Sequence, residues 1–115
     1  MDRIYEQTML FDFYGELLTE HQRRVYEDAV YNDMSLGEIA QELGISRQGV
    51  HDLVRRCDKI LQDYESKLHL VERFARAKRT IGEIEKLTDV TEDAAELPER
   101  LRTIRTLARE LLEEL

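Results

Sequence analysis

The side chains best suited to binding chemistry fall in one short run, where Ser46, Arg47 and Gln48 are followed by His51, Asp52, Arg55, Arg56 and Lys59. Arg and Gln can make bidentate contacts to base edges, and Arg and Lys can donate to phosphate oxygens. Ser46 adds a hydroxyl at a helix start, where backbone N–H groups also favour a phosphate. The candidate nucleic-acid-binding residues are therefore Ser46, Arg47, Gln48, His51, Arg55, Arg56 and Lys59. His51 reads equally well as an ordinary surface histidine.

Such a set needs a scaffold that lifts one helix face toward a ligand. The segment Leu36 to Leu53 (LGEIAQELGISRQGVHDL) provides one. Two short helices crossing steeply need a small residue at the approach (Ala40), a glycine in the turn (Gly44) and apolar contacts on both sides (Ile39, Leu43, Ile45, Val50, Leu53). These positions are all filled, which is the pattern of a helix-turn-helix whose recognition helix starts at Ser46. A helical hairpin with no nucleic-acid role would satisfy the same packing.

The flanking sequence is helical too. Ile4, Met9, Leu10, Phe13, Tyr14, Leu17 and Leu18 follow a helical period from Asp2 to Leu18, with a break near Thr19. Thr19 and Gln22, then Ser35 and Glu38, have capping-box spacing, so helices should start after Thr19 and after Ser35. The second helix should stop around Tyr31 to Asp33, and the third should run from Leu36 to Leu43. The apolar stripe after Ser46 changes phase between Ser66 and His69, which predicts a bend there. Thr88 to Glu96 reads as an acidic linker or frayed helix end. Pro98 suits the first turn of a last helix with Leu97, Leu101, Ile104, Ala108, Leu111 and Leu115 along one side. The expected fold is all-α: a helix-turn-helix domain of three to four helices over residues 1–69, winged-helix-like or similar to sigma-factor region 4. Residues 70–115 form C-terminal helices for dimerisation or docking.

Composition narrows the function. The chain has 115 residues, enough for one compact domain with an added helical element and too few for most enzyme architectures. Cys57 alone forms neither an internal disulfide nor a multi-cysteine metal site, and reads as a packed, reduced thiol. His21, His51 and His69 lack ligand spacing, so neither metal nor cofactor is expected. No phosphate-binding glycine loop, nucleophile elbow or zinc-protease motif is present, and catalysis is not expected. Tyr5, Tyr14, Tyr26, Tyr31 and Tyr64 are spread along the helices as core or half-buried residues, not as a base-stacking platform. No apolar stretch is long enough to span a membrane, and a cytoplasmic protein is expected.

Charge at first opposes the motif, because 17 Lys and Arg against 25 Asp and Glu give a net −8. Partitioned along the chain, residues 47–79 hold nine Lys or Arg against five Asp or Glu, so this segment carries +4 and the remainder −12. Acidity then excludes coating of nucleic acid by bulk charge but leaves a local contact open. Arg73, Arg76, Lys78 and Arg79 read either as a solvated helix face or as a second contact.

The block Leu10 to Gln22 (LFDFYGELLTEHQ), with Ser35 to Ala40, Gly44 to Gln48 and Leu61 to Glu65, resembles the YlxM family of bacterial helix-turn-helix proteins over roughly residues 3–87. The helix-turn-helix half is also similar to region 4 of sigma factors. Gly49 stands where that family more often has alanine. The resemblance implies an accessory or regulatory role in the signal recognition particle pathway, with that particle's RNA or its GTPases as partners. A helix-turn-helix suits the DNA major groove better than the deep, narrow groove of A-form RNA, so RNA binding would rely on phosphates or irregular loops. A sequence-specific DNA-binding regulator, homodimeric through the Leu97 to Leu115 helix, is the alternative. A third is a protein-interaction module whose acidic ends, Asp2 to Asp33 and Thr88 to Leu115, bind a basic partner.

Overall fold

A computed structural model describes residues 3–88 and 95–114. Most of the expected acidic linker, together with Asp2 and Leu115 of the expected first and last helices, lies outside the described residues. Among the described residues six α-helices follow one another: α1 (Arg3–Tyr14), α2 (Glu20–Val30), α3 (Leu36–Leu43), α4 (Arg47–Leu68), α5 (Leu70–Thr88) and α6 (Leu97–Glu114). No strand occurs among the described residues.

Local chemistry sets most of these boundaries. Thr19 and Ser35 each form a complete capping box, with Gln22 and Glu38 returning the bond to the cap N–H. Gly44 ends α3 at φ 71°, and His69 ends α4 at φ 56°, which produces the phase change in the apolar stripe. The first helix is shorter than its period suggests. It stops at Tyr14 and tightens into a single 3-10 turn, Gly15–Leu17. Gly15 lies so close to the Phe11 ring that a Cβ there would sit 3.0 Å from it. The tighter turn rotates Leu18 into the core and leaves Leu17 exposed.

Two compact units result, Met1–Val71 and Glu72–Leu115. In the first, α4 is the spine. Val50 packs with Val25, Ile39 and Ala40, while Cys57 and Leu61 pack with Leu10, Tyr14, Leu18 and Tyr26. Half-buried Val54 lies against both groups. Burial of each large aliphatic side chain is worth about 1.5–3 kcal/mol, so α4 is anchored along most of its length. Two tyrosines add polar ties: the Tyr26 hydroxyl donates to Asp58 and the Tyr14 hydroxyl to Glu65, each at 2.5 Å. Tyr64 is half-buried, but Tyr5 and Tyr31 are exposed, contrary to the expectation for all five tyrosines. Tyr31 lies on the surface, its hydroxyl donating to Asp12 on α1.

In the second unit neither α5 nor α6 has a buried residue. Ala77, Ile84, Ile104, Leu107 and Leu111 are half-buried, whereas Phe74, Ile81, Leu101 and Leu112 remain exposed. No described helix is long and apolar enough to cross a membrane.

Candidate nucleic-acid interface

The turn between α3 and α4 is built from backbone requirements. Gly44 occupies the left-handed region, its N–H bonded to the Ala40 carbonyl, and the Ile45 N–H reaches the same oxygen at 3.1 Å. Ile39, Ala40 and Val50 close the crossing and are nearly inaccessible, with Leu43 and Leu53 half-buried around them. Ile45, expected among the core contacts, is instead 41% exposed. It lies over the start of α4, near the position a Cβ on Gly49 would take. That hypothetical Cβ would also approach the Ser46 hydroxyl to 3.2 Å, so alanine there would press on the cap.

Ser46 caps α4, its Oγ accepting the Gly49 N–H at 3.0 Å. Beyond it the helix carries Arg47, Gln48, His51, Arg55, Arg56 and Lys59, all exposed and all on α4. The structure thus brings every candidate onto one helix. Among the described residues, no carboxylate lies within ion-pair distance of Arg47, Arg55, Arg56 or Lys59. Arg3, Arg76 and Arg100 differ, since each has an acidic partner. Arg76 meets both Glu72 and Glu114, which commits that cation of the second basic run within its own unit.

Two candidates are held by a residue absent from the expected set. Gln48 donates to Asp52 Oδ1 at 3.0 Å, and His51 Nδ1 lies 3.8 Å from the same oxygen. Asp52 therefore engages both side chains and places a negative charge on the face. Its i, i+4 relation to Gln48 was legible in the spacing.

Asp58 is a different omission. It receives Tyr26 at 2.5 Å and Gln7 at 3.1 and 3.2 Å, and lies 3.7 Å from Arg3. The carboxylate is consumed internally, so the neighbouring Arg55 and Lys59 keep their charges outward. These two cations, with Arg3, Gln7 and Gln62, border a groove of about 400 Å³ between α1 and α4. Nothing in local spacing announces this network, because its partners are contributed by α1 and α2.

Cys57 is buried in the opposite stripe, and burial pushes its thiol up to about 11, so it stays protonated at neutral pH. The arrangement therefore offers cationic and amide donors on a rigid helix. It presents no activated nucleophile among the described residues of this face.

Comparison with known proteins agrees with this geometry. Residues 1–101 match the model of the family UPF0122, described as "Putative helix-turn-helix protein, YlxM / p13 like". A UPF0122 protein of Thermoanaerobacter sp. strain X514 is 42% identical over 106 residues, covering 92% of this chain and 91% of the relative. One from Desulforamulus reducens is 37% identical over 113 residues, covering 98% and 96%. Another, from Acetivibrio thermocellus, reaches 48% over 86 residues, covering 75% and 74%.

Proposed function

The chain belongs to the UPF0122 family of YlxM / p13 like helix-turn-helix proteins, and on that premise we propose that it binds nucleic acid through the exposed face of α4. The observation that carries this reading is the set Arg47, Arg55, Arg56 and Lys59, cations without carboxylate partners on the second helix of a helix-turn-helix. Exposed cations without carboxylate partners on the second helix of such a motif are suited to phosphates and base edges, even in an acidic chain.

The resemblance to YlxM proteins extends the reading to an accessory role in the signal recognition particle pathway, with its RNA or its GTPases as partners. A second reading, sequence-specific binding of duplex DNA, is favoured by the helix-turn-helix geometry, which fits the major groove. Under either reading the Glu72–Leu115 unit pairs two copies of the chain. Its exposed Phe74, Ile81, Leu101 and Leu112 are the side chains such pairing would cover.

Titration of the full chain against random duplex DNA, its own promoter DNA and signal recognition particle RNA at several salt concentrations tests the reading. Selective RNA binding supports the accessory role, and a preferred duplex supports the regulator. Absence of binding to all three at low salt overturns both.

A further inference from the structure

We infer that Gly37 is a positioning residue for Arg47, its missing side chain leaving the seat in which the guanidinium lies. This rests on the nucleic-acid reading of α4. Gly37 is the second residue of α3, and its backbone is not in the left-handed region, unlike that of Gly44. Alanine or leucine would suit such a position better than glycine, so helix formation gives no reason for it. The surroundings do. A Cβ built on Gly37 would lie 3.0 Å from Arg47 Nε, 3.2 Å from one terminal nitrogen and 3.3 Å from Cζ. Three guanidinium atoms crowd one point, so the group lies across Gly37 instead of touching it with its tip.

Arg47 therefore reaches back from the first turn of α4 to the first turn of α3. With no carboxylate partner among the described residues, its N–H donors remain available to a ligand. Contact with α3 restricts the side chain before binding, which lowers the conformational cost of immobilising it in a complex. Side chains added at Gly37 remove that restriction in proportion to their size. Alanine asks the guanidinium to give by a few tenths of an ångström. Leucine occupies its place.

The test compares Gly37→Ala, Gly37→Leu, Arg47→Ala and Gly37→Leu with Arg47→Ala in the full chain, using a fluorescein-labelled random-sequence duplex at low salt. Gly37→Leu should weaken binding about fivefold, much as Arg47→Ala does, since a random-sequence duplex offers Arg47 phosphate contacts and one unit-charge contact in water is worth about that. Gly37→Ala should weaken it less, and Gly37→Leu should add nothing once Arg47 is gone. Thermal midpoints should stay at or above the parent's, and the Arg47 Nε–Hε resonance should move in Gly37→Leu. If Arg47→Ala weakens binding while Gly37→Leu leaves both affinity and the Nε–Hε resonance in place, the positioning role is wrong. If Arg47→Ala binds as the parent does, Arg47 makes no contact to be positioned and the role is wrong, whereas failure of the parent itself to bind the duplex at low salt overturns the nucleic-acid reading.

Discussion

Asp52 places a negative charge among the cations of the α4 face, where it accepts a 3.0 Å hydrogen bond from Gln48 and lies beside His51. Its carboxylate also faces any approaching phosphate. Asp52→Asn should tighten binding about fivefold at low salt, the equivalent of the ~1 kcal/mol that one unit charge is worth across a few ångströms of water. Fluorescence anisotropy at two salt concentrations checks this, and the gain should shrink in the higher salt. Tyr26 makes the converse case, a residue that matters to the fold and not to the face. Tyr26→Phe leaves Asp58 short of its closest donor and should cost about 1–3 kcal/mol in urea unfolding, with nucleic-acid affinity unchanged. Titration of desolvated groups adds a pH signature. Burial raises the Cys57 thiol from 9.0 to about 11, and partial desolvation with the Asp12 hydrogen bond raises the Tyr31 phenol from 10.0 to about 12, with Tyr14 and Tyr26 moved in the same direction. These groups are held neutral in the fold, so their stabilisation is complete below the unfolded values and is lost as pH rises through the folded ones. Urea midpoints should be flat from neutrality to about pH 9 and should fall from there to about pH 12. Cys57→Ala should remove the earliest part of that fall.

At the scale of the element, the sharpest dependence is on Gly44. Its φ of 71° is left-handed and nothing lies within 4 Å of the place a Cβ would take, so Gly44→Ala carries a conformational cost without a clash. That cost should be about 1–2 kcal/mol, read from thermal or urea unfolding. Elements marked by local chemistry were the ones legible in the sequence. The T-x-x-Q and S-x-x-E boxes, Gly44 and Ser46 place the starts and ends of α2, α3 and α4 because each signal is contained within a few residues. Position 69 was legible only as a change of phase, since a histidine in the left-handed region leaves no residue-type signature. The end of α1 departs from the period because Leu17 fits a continuous helix, while the close approach of Gly15 to the Phe11 ring leaves no mark in the spacing. Ile45 was assigned to the core for the same reason: its spacing is right, but the turn lifts it over the start of α4. The candidate residues themselves were legible as a face, and their engagements were only partly so. Asp52 with Gln48 follows from spacing, whereas Arg47 over Gly37 and Asp58 under Tyr26 are made across helices.

For the whole molecule, the net −8 and the proposed nucleic-acid face are reconciled by where the charges are committed. Asp58 and Glu65 are turned into internal ties by tyrosines, while the α4 cations have no carboxylate within ion-pair distance among the described residues. Repulsion from the rest of the chain remains, so affinity should be modest and strongly dependent on salt. The proposed pairing of two chains is also tested at this scale. Leu101→Glu with Leu112→Glu alters side chains that are 57% and 74% exposed, so the fold should survive while sedimentation shifts to the monomer. A variant that sediments as the parent does would remove these two residues from the contact. The most direct test of the central claim is the salt dependence of duplex binding by the full chain and by Arg55→Ala with Lys59→Ala. Log affinity should fall linearly with log salt in the parent, and the slope should be shallower by about 0.9 for each phosphate that the variant no longer neutralises. A variant with the parent's affinity and slope would contradict that claim.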